Sequence, residues 1–570
     1  MSYAAKLNKK LQAAFHGSVH AVLRDGCLYL KGELPCWDDV VRAGQMSVNK
    51  KKYTVVNDIV FTGGRIPPMR MSDVHDSMLE GSRPDALVIG GGIVGCAVAR
   101  ELTRYNIDVM LVEKEHDVAL HASGRNNGIV HPAGLDLRRG QLKKKYNDEG
   151  NRMYPQICGE LEVSFRYTGQ YICFTDGWMK PSAIASLLYW KLMRVSAAYV
   201  SRKKLAEREP HLNNKIKFAL FFPSAGVVCP YGLTIAYAEN AADNGAKICL
   251  DTAVIDIDVQ DGRIESVMTN RGRIYPRLVI NAAGVFTEEI ARLAKDHFFS
   301  IHPQKGANVI FDKKAAFLVK TIASPFKALE TKASAKKTHS EGGGIVHTAD
   351  GNLLAGSDSI ETFERENFST DRENVRAVLT KQRQSVSALC ERDIITYFTG
   401  IRAASYEEDF IVSFGKFTKN IIHAAGIQSP GLTAAPAIAV DISKMAAKYL
   451  NAGVYNNFNP KRKAIVRAAE LPDIERNALI KNEQDYGVII CRCEEISRGE
   501  VLAALRRNVP CDTVDGVKRR VRPGMGRCQG SFCSPHVVEI IAAEKNIPVT
   551  KVRKMSYDSG ILLCNNKEKV

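Results

Sequence analysis

The pattern of hydrophobic and polar positions predicts a small α+β unit over residues 1–68. Helical spacing and apolar or alternating runs occur in the order helix, strand, strand, helix, strand, at 4–15, 19–23, 27–30, 37–48 and 53–61. Residues 69–84 are polar, which is typical of a flexible tether. We therefore expect this unit to be separable from the rest of the chain and dispensable for its chemistry.

A second region begins with a short apolar run at 86–89 and a glycine-rich turn, GGGIVG, at 90–95. A helical segment at 96–105, another apolar run at 109–112 and Glu113 follow. This order of strand, glycine turn, helix, strand and acidic residue is typical of a dinucleotide-binding fold.

Each residue of this motif has a physical role in holding a dinucleotide. Gly90 permits the tight turn, Gly92 lets the backbone approach a pyrophosphate, and Gly95 lets the helix pack closely on the strand. The unpaired N–H groups at the helix N-terminus favour a diphosphate. Glu113, 21 residues after Gly92, is placed to accept hydrogen bonds from an adenosine ribose. Since an acidic residue there disfavours a 2′-phosphate, the motif predicts FAD or NAD rather than NADP.

Three later segments resemble one superfamily of flavin enzymes. They are ASGRNNGIVH at 122–131, VINAAG at 279–284 and GIQSPGLTAAP at 426–436. Together with the glycine-rich turn, they resemble the D-amino-acid-oxidase/glycerol-3-phosphate-dehydrogenase superfamily, which implies FAD. The resemblance also implies cofactor contacts from Ser123, Arg125, Asn126, the backbone of Val254, Ala283, Gly284, Gly426, Gly431, Leu432 and Thr433. A helix opening at GLT would direct its N-terminal dipole towards a reduced, negatively charged flavin.

Two insertions supply the expected substrate domain, near 159–230 and 300–412. They contain strand-like runs at 169–174, 219–222, 308–311, 344–346 and 410–414. In the family, such insertions form a mixed sheet that caps the flavin. Residues 237–244 and 253–258 are predicted to be the helix and strand that return to the cofactor domain, which we expect to occupy 84–450.

The composition changes after residue 450. Residues 451–486 are polar and predict a linker with a short helix. Two cysteine pairs follow, Cys491 with Cys493 (CxC) and Cys528 with Cys533 (CxxxxC), separated by 34 residues. Four thiolates in two pairs suit a zinc ion or a 2Fe–2S cluster. The spacing favours iron, because structural zinc sites usually show two CxxC-type pairs.

The passage over 487–545 resembles the bacterioferritin-associated-ferredoxin-like 2Fe–2S domain, and 546–570 is expected to be a tail. The basic residues of the 2Fe–2S-like region would offset the negative charge of a cluster or dock an acidic partner: Lys518, Arg519, Arg520, Arg522 and Arg527. The expected fold class is therefore α/β. A Rossmann-type FAD-binding domain carries the inserted mixed-sheet substrate domain, with small N-terminal α+β and C-terminal 2Fe–2S domains.

The N-terminal unit resembles the BON domain in the phrases GCLYLKGEL at 26–34 and VVNDIVF at 55–61. That resemblance implies attachment to a membrane surface or to another protein. A plain packing appendage stays open as the alternative.

Two residues are the candidates for chemistry on the substrate, His131 and Arg402. In relatives that oxidise glycerol 3-phosphate or L-2-hydroxyglutarate, a histidine at this place lies near the reacting carbon. Arg402, in TGIR at 399–402, matches their GxR element, whose arginine binds the substrate anion or hydroxyl. The resemblance implies an FAD-dependent dehydrogenase for a small anionic alcohol, with sn-glycerol 3-phosphate as the leading substrate.

Two departures keep other substrates open. The glycerol-3-phosphate relatives tend to continue His-x-Gly-x-Arg-Tyr, where this chain has HPAGLD, and they usually carry proline where Ala403 stands. A 2-hydroxy acid or an opine-like secondary amine is the alternative substrate, and an electron-transferring protein without catalysis is a further one. Arg138, Arg139 and Lys305 are alternative sources of positive charge.

Composition and charge limit the partners. The chain has 45% hydrophobic and 25% charged residues, as in ordinary globular proteins, and a net charge of +17. This charge favours anionic partners. No zinc-finger, helix-turn-helix or RNA-binding aromatic motif accompanies it, so we expect no nucleic-acid partner. We expect a small anionic substrate and a redox partner protein or subunit. The chain is expected in the cytoplasm, either free or held peripherally at the inner face of the membrane.

Overall fold

The computed structural model describes residues 3–49, 53–134, 140–326 and 343–564. Arg138 and Arg139, proposed above as sources of charge, lie outside the described residues. The N-terminal unit has the predicted order of elements: α1 (Tyr3–Ala14), β1 (Val19–Arg24), β2 (Cys27–Leu34), α2 (Trp37–Ser47) and β3 (Thr54–Phe61). Its sheet has the order β1-β2-β3, with β1 antiparallel and β3 parallel to β2.

The segment after this unit is packed against the body of the protein. Leu79 is fully buried, Asn270 donates to the Val74 carbonyl at 2.7 Å, and Arg271 pairs with Asp76 at 2.8 Å. The expectation of a flexible tether at 69–84 is therefore wrong. Apolar residues and a salt bridge hold the segment in place, although its composition is polar.

A parallel sheet with one antiparallel edge strand forms the centre of the molecule. Its order is β12-β5-β4-β16-β24-β23, from strands β4 (Ala86–Ile89), β5 (Val109–Val112), β12 (Lys247–Cys249), β16 (Leu278–Asn281), β23 (Ile411–Phe414) and β24 (Ile421–Ala425). The strands predicted at 86–89 and 109–112 are confirmed. The strand predicted at 410–414 as part of the substrate domain belongs here instead, as the antiparallel edge strand β23.

The helices described around this sheet are α3 (Ile93–Leu102), α4 (Gln141–Glu160), α7 (Pro230–Asp243), α8 (Thr287–Leu293) and α10 (Gly431–Leu450). Helix α3 packs against α7 and α10 and is buried along its whole length, which small residues such as Gly95 and Ala97 permit. Two small antiparallel sheets complete the region: β13 (Val254–Gln260), β14 (Arg263–Thr269) and β15 (Gly272–Ile274), and β6 (Ile129–Val130), β7 (Phe165–Tyr167) and β11 (Gly226–Val228).

The insertions form a mixed nine-stranded sheet, as predicted. Its elements are β8 (Gln170–Phe174), β9 (Ala198–Ser201), β10 (Phe218–Phe222), β17 (Ile301–Phe311), β18 (Ile322–Pro325), β19 (Gly344–His347), β20 (Leu353–Gly356), β21 (Ile360–Glu361) and β22 (Ile394–Ser405), with helices α5 (Lys180–Leu192), α6 (Arg202–Arg208) and α9 (Arg372–Gln382). The order is β21-β17-β20-β19-β18-β8-β10-β9, and β22 pairs with the other edge of β17.

The C-terminal unit is mostly helical. Its elements are α11 (Asp473–Asn482), β25 (Ile489–Cys491), β26 (Ile496–Ser497), α12 (Arg498–Leu505), α13 (Val514–Val521) and α14 (Ser534–Lys545). The short helix expected in the linker is α11. No helix in the described part of the chain is long and apolar enough to cross a membrane.

The start of the linker is fixed to the central region by hydrogen bonds. Asn240 donates to the Asn459 carbonyl at 3.1 Å, Arg100 donates to the Pro460 carbonyl at 3.1 Å, and Arg462 donates to Glu239 at 2.6 Å. The C-terminal unit is thus anchored along its connecting segment.

A buried ion-pair cluster docks the C-terminal unit on the central region. Arg519 and Arg520 donate to the Asp117 carboxylate at 3.0 and 2.8 Å. Arg522 pairs with Asp350 at 2.8 Å and donates to Glu494 at 3.0 Å. Arg527 also pairs with Asp312, at 3.6 Å. Four of the five basic residues assigned to the charge of a cluster or to an external partner are therefore paired with carboxylates of this chain.

Asp117→Asn is expected to loosen this docking. Burial disfavours the carboxylate, but Arg520 and Arg519 hold the pKa of Asp117 at about 2. Because this pKa is below its unfolded value of about 4, the stabilisation of ~2–3 kcal/mol is present above pH 4 and is lost as the pH falls towards 2. The substitution leaves two buried guanidinium groups without their carboxylate, at a cost of about 3–5 kcal/mol.

Thermal unfolding and limited proteolysis of the linker at neutral pH measure this effect. Asp473→Asn removes an exposed ion pair with Arg476 in α11 and is the matched control, expected to change little. Equal stability of the two variants would contradict the role of Asp117.

The N-terminal unit shares a buried core with the central region. Cys27 and Val56 pack with Phe286, Phe298 and Ile401, all buried. The Tyr406 ring lies in the unit's own core, and Asn57 donates to its hydroxyl at 2.8 Å. The expectation that the unit is dispensable must therefore be revised, because its removal would expose this apolar surface.

A chain beginning at residue 83 is expected to unfold at a lower temperature and to bind substrate less well. The exposed surface includes Ile401 and Ala403, which flank Arg402 on β22. Val56→Asp should reproduce the loss of stability in the full chain, since a buried carboxylate without a partner is costly. Val60→Asp, on the same strand but exposed, is the control. Wild-type stability of Val56→Asp would refute the shared core.

Candidate active site and cluster site

The glycine-rich turn approaches the neighbouring strands so closely that side chains cannot fit. A Cβ on Gly90, at φ +112°, would lie 2.5 Å from the Ala282 carbonyl oxygen. One on Gly95 would lie 1.9 Å from the Gly90 carbonyl oxygen. Gly92 caps α3, and a Cβ there would lie 3.2 Å from the Ser123 Oγ. The predicted dinucleotide turn thus faces both β16 and the segment at 122–131.

Glu113 lies directly against this turn. Its carboxylate accepts hydrogen bonds from the Gly91 N–H at 2.5 Å and from the Glu115 N–H at 3.0 Å. Burial raises the pKa of Glu113. Its own carbonyl accepts from the Thr252 N–H, which brings the loop before Val254 alongside it. Glu113 and the loop before Val254, predicted to contact the ribose and the adenine side, therefore lie side by side next to the glycine-rich turn.

The segment at 122–131 crosses the open side of the turn. Ser123 Oγ accepts from the Ile93 N–H at 2.8 Å, so it lies at the N-terminus of α3. Asn126 donates to the carbonyls of Ala122 and Ser123 and accepts from the Gly128 N–H, which fixes the loop.

Arg125 is held between this loop and the nine-stranded sheet. It donates from Nε to the Leu120 carbonyl at 2.9 Å, and its guanidinium lies 4.1 Å from the Phe368 ring centre. Burial lowers the pKa of Arg125 to about 10. Gly400 on β22 packs on the Arg125 backbone, where a Cβ would lie 2.4 Å from the carbonyl oxygen. Strand β22 therefore approaches the candidate flavin segment.

Helix α10 begins opposite the same segment. Thr433 Oγ1 accepts a hydrogen bond from the His131 N–H at 2.9 Å, and Ser429 Oγ lies 3.3 Å from His131 Nε2. The Leu432 carbonyl accepts from the Tyr154 hydroxyl at 2.6 Å. The first turn of α10 thus fixes the backbone of His131, and Ser429, two residues before the helix, lies beside its ring.

Three further predicted cofactor residues occupy turns at the ends of central strands. Ala283 and Gly284 follow β16, where Gly284 has φ +59° and no atom lies within 4 Å of its Cβ position. Gly426 follows β24 at φ +66°, a conformation that favours glycine. Because the carboxyl ends of parallel strands meet at one edge, these turns lie at the edge where such sheets bind ligands.

Arg402 projects from β22 towards the edge of the nine-stranded sheet. It donates to the Asp358 carbonyl at 3.2 and 3.1 Å and to the Ser357 hydroxyl. Burial lowers its pKa. Gly306 on the neighbouring strand leaves room for the guanidinium, since a Cβ there would lie 2.7 Å from it.

The other candidate for positive charge, Lys305, is committed to a different set of groups. It is buried, donates to Ser369 Oγ at 2.9 Å and lies 3.6 Å from the Asp371 carboxylate. In the described part of the chain, the hydrogen-bond acceptors of Arg402 are a hydroxyl and a carbonyl, both neutral, so Arg402 is better placed than Lys305 to bind an anion.

The four predicted cluster ligands form two pairs in space, each with one cysteine from the CxC motif and one from the CxxxxC motif. The Sγ atoms of Cys493 and Cys528 are 3.7 Å apart. The Cys491 and Cys533 thiols hydrogen-bond to each other, and this contact lowers the pKa of Cys491. Two thiolates bound to one tetrahedral ion at ~2.3 Å would be about 3.8 Å apart. Gly526 is required beside them, because a Cβ there would lie 2.3 Å from that of Cys493.

Sequence reasoning missed three residues around these sites. The Phe368 ring lies against the Arg125 guanidinium and meets the His121 ring edge to face, and Tyr231 connects the central region to the C-terminal unit. Ser357 accepts a hydrogen bond from Arg402. These residues belong to no motif, and only the folded chain brings them to the site.

Residues 85–445 match the family described as FAD dependent oxidoreductase. The chain belongs to this FAD dependent oxidoreductase family. Its residues 489–543 match the BFD-like [2Fe-2S] binding domain. The FAD and 2Fe–2S predictions and the fold class are confirmed.

Several proteins that are similar to this oxidoreductase are named for glycerol 3-phosphate. Glycerol 3-phosphate dehydrogenase of Caloramator mitchellensis is 38% identical over 494 residues, which cover 85% of this chain and 99% of the relative. Glycerol 3-phosphate oxidase of Mycoplasma pneumoniae is 26% identical, covering 62% of this chain and 92% of the relative. The structure of L-alpha-glycerophosphate oxidase from Mycoplasma pneumoniae, with FAD bound, superposes with a TM-score of 0.61 at 25% identity, covering 67% of this chain and 98% of that chain.

The residues of this FAD dependent oxidoreductase fit both of its cofactors. The turn at 90–95 has glycine at positions 90 and 95, where a side chain would clash, and no side chain at 90–92 covers the backbone, as close approach to a diphosphate requires. Four thiols in two close pairs supply the soft ligands that iron–sulfur clusters use.

Proposed function

We propose that this enzyme dehydrogenates sn-glycerol 3-phosphate and passes the electrons to an external acceptor protein or subunit. The observation that carries the proposal is the match to a glycerol 3-phosphate dehydrogenase over 99% of that protein's length. When bound, the flavin accepts a hydride from the substrate carbon and the 2Fe–2S cluster accepts electrons singly. The remaining steps depend on groups of this chain.

In this proposal, Arg402 binds the substrate and His131 takes its hydroxyl proton. The Arg402 guanidinium is buried and, among the residues that the structure describes, donates to a carbonyl and a hydroxyl, so an anionic oxygen can replace these neutral acceptors with a stronger charge-assisted bond. The Thr433 hydroxyl and Ser429 orient His131 at the start of α10. The cofactor residues predicted above, from Gly90 to Thr433, are proposed to hold FAD in the turns already described.

The docked C-terminal unit supports electron transfer within the chain. The Tyr231 hydroxyl donates to Met525 Sδ at 3.4 Å, and Arg522 donates to Tyr231 at 3.3 Å. The Tyr231 Cβ is 3.9 Å from the Cβ position of Gly124. Tyr231 thus lies next to Gly124 of the segment at 122–131 and hydrogen-bonds to the loop that precedes Cys528. We propose Cys491, Cys493, Cys528 and Cys533 as the four cluster ligands.

A second candidate substrate is a 2-hydroxy acid such as L-2-hydroxyglutarate. It is favoured by the absence of the relatives' Gly-x-Arg-Tyr continuation after His131 and by alanine at 403. A carboxylate needs the same arginine contact as a phosphate but fewer further cations.

Anaerobic reduction of the flavin, followed by absorbance, tests the proposal. sn-Glycerol 3-phosphate should reduce it, whereas glycerol, which lacks the anion, and the enantiomer sn-glycerol 1-phosphate should not. Faster reduction by L-2-hydroxyglutarate would support the second candidate. Reduction by an opine alone would overturn both.

His131→Asn is expected to slow flavin reduction by about 10²–10⁴-fold, as expected for the loss of a general base. Substrate affinity should change much less, because the anion is bound elsewhere. Stopped-flow reduction at several substrate concentrations separates the two quantities. His536→Asn, at an exposed histidine in α14, is the control. A change in affinity alone would refute proton transfer by His131.

The last part of the proposal concerns the N-terminal unit and contact with the membrane. We propose that this unit is BON-like and that the enzyme contacts the inner face of the membrane peripherally. The α-β-β-α-β order of the unit and the net charge of +17 support this view.

A further inference from the structure

Helix α5 carries large apolar side chains on its outer face. Leu192 is 82% exposed, Leu188 is 66% exposed, and Trp178, just before the helix, is 73% exposed. Ile184 and Tyr189 are also exposed. Positions 184, 188 and 192 are four residues apart, so they form one stripe along the helix. Such concentrations of exposed apolar side chains mark interaction surfaces.

The inner face of the same helix is already packed. Ala183, Leu187 and Trp190 lie against Phe174, Phe218 and Phe222 of the nine-stranded sheet. Trp190 contacts Phe222 with ring centres 5.0 Å apart. The helix is therefore apolar on both faces and cannot bury its outer stripe within its own fold.

The charged residues that surround the outer stripe in the sequence are all basic. From residue 177 to residue 206 the chain has no Asp or Glu, while it carries Lys180, Lys191, Arg194, Arg202, Lys203 and Lys204. All of these except Arg202 are exposed. Long basic side chains can extend from an apolar face to the phosphate groups of lipids, with their methylene stems on the apolar surface. The exposed Trp178, before the stripe, and Tyr189, beside Leu188, suit the level of the headgroups.

We propose that α5, with Trp178 and the basic residues around it, is an in-plane binding surface for an anionic lipid bilayer. Lysine is depleted in protein–protein interfaces, whereas a basic rim around an apolar helix face is typical of interfacial membrane helices. This inference rests on the peripheral membrane contact of the proposed function. It assigns the contact to α5, not to the N-terminal unit, and is independent of the substrate.

The surface borders the predicted active site. Val195, three residues after α5, packs on Gly134, where a Cβ would lie 2.1 Å from its Cγ2. Gly134 follows His131 by three residues. A bilayer on α5 would thus lie on the side of the enzyme that carries the loop after His131.

Vesicle binding by the full-length holoenzyme tests the inference. Sedimentation with phosphatidylcholine vesicles containing 30% phosphatidylglycerol (on the order of the anionic content of a cytoplasmic leaflet) should remove the protein from solution, and pure phosphatidylcholine should bind it less. Raising the salt should weaken the binding. Leu188→Gln with Leu192→Gln should weaken partitioning by about tenfold for each residue. Ile474→Gln, at an equally exposed position on α11, is the matched control.

The fluorescence of Trp178 provides a second readout. The other two tryptophans, Trp37 and Trp190, are less exposed than Trp178 and should respond less to a bilayer. The emission of Trp178 should shift to the blue with anionic vesicles and be quenched by brominated lipid, and Trp178→Phe should remove both responses. Three results would overturn the inference. The first is vesicle binding by the double variant at the wild-type level, and the second is no binding of the wild type to any vesicle. The third is dissociation of a dimer by the α5 substitutions, which would assign the surface to a second copy.

Binding that is lost with Val56→Asp but kept in the α5 variant would assign the membrane contact to the N-terminal unit. The substrate assignment is checked separately, by flavin reduction without vesicles. Failure of one experiment therefore leaves the other interpretable.

Discussion

Arg402→Ala should lower kcat/KM for sn-glycerol 3-phosphate by about 100-fold while the protein keeps its FAD. The loss of hydrogen bonds from a buried guanidinium to a charged substrate costs about 3 kcal/mol, which corresponds to that factor. The effect should fall mainly on KM, because the anion is bound equally before and during the reaction. Steady-state kinetics and the flavin absorbance of the purified protein measure both properties.

Two controls make this result specific. Arg392→Ala removes an exposed arginine just before the same strand and should leave the kinetics unchanged. Gly306→Ala keeps Arg402 but places a Cβ 2.7 Å from its guanidinium, so it should displace the group and raise KM as well. If Arg402→Ala reduced its flavin with wild-type affinity, the substrate anion would have to bind elsewhere.

The sequence predicts the parts of the fold that depend on local patterns. Strands β4 and β5 have the predicted bounds, and the glycines at 90 and 95 lie where only glycine fits. These features follow from a short apolar run and from backbone contacts within one strand–helix–strand unit. The order of elements in the N-terminal unit is predictable for the same reason.

Contacts between distant segments are what the sequence does not reveal. Asp117 and Arg520 are 403 residues apart, so no periodicity connects them, and the basic residues of α13 were assigned to a cluster or a partner. Likewise, the polar composition of residues 69–84 conceals the buried Leu79. The strand at 411–414 was assigned to the wrong sheet because strand propensity does not specify a pairing partner.

The active site shows the same division. Arg402 was found through a short motif, but its partners Ser357 and Asp358 come from the turn after β20 and carry no motif. Tyr231, between the flavin segment and the cysteine loop, was also missed. Its signal in the sequence is a single tyrosine after a proline, which is too common to single it out.

Cys528→Ser is expected to have the largest effect on turnover. Cys493 and Cys528 lie 3.7 Å apart, as two thiolates on one iron would, so the substitution would remove one of the two protein ligands of that iron. The purified wild type should contain about two irons per chain, and the variant should contain few or none. Reduction of the flavin by substrate in a single turnover should remain intact, because His131 and Arg402 belong to other elements. Multiple turnover with the physiological acceptor should fall to the level of cluster-free protein.

Cys511→Ser is the matched control for this experiment. Cys511 is buried in the core of the same unit, but it lies outside both cysteine pairs and its thiol donates to the Ala504 carbonyl at 3.4 Å. Its substitution should leave the iron content and the turnover unchanged. Iron analysis and the paramagnetic signal of the reduced cluster distinguish the two variants. If Cys528→Ser retained full turnover, electrons would leave the flavin directly for the acceptor. Stoichiometric zinc in anaerobically prepared wild type would make the C-terminal unit structural, and the ion pairs at Asp117 would then hold a rigid domain without a redox role.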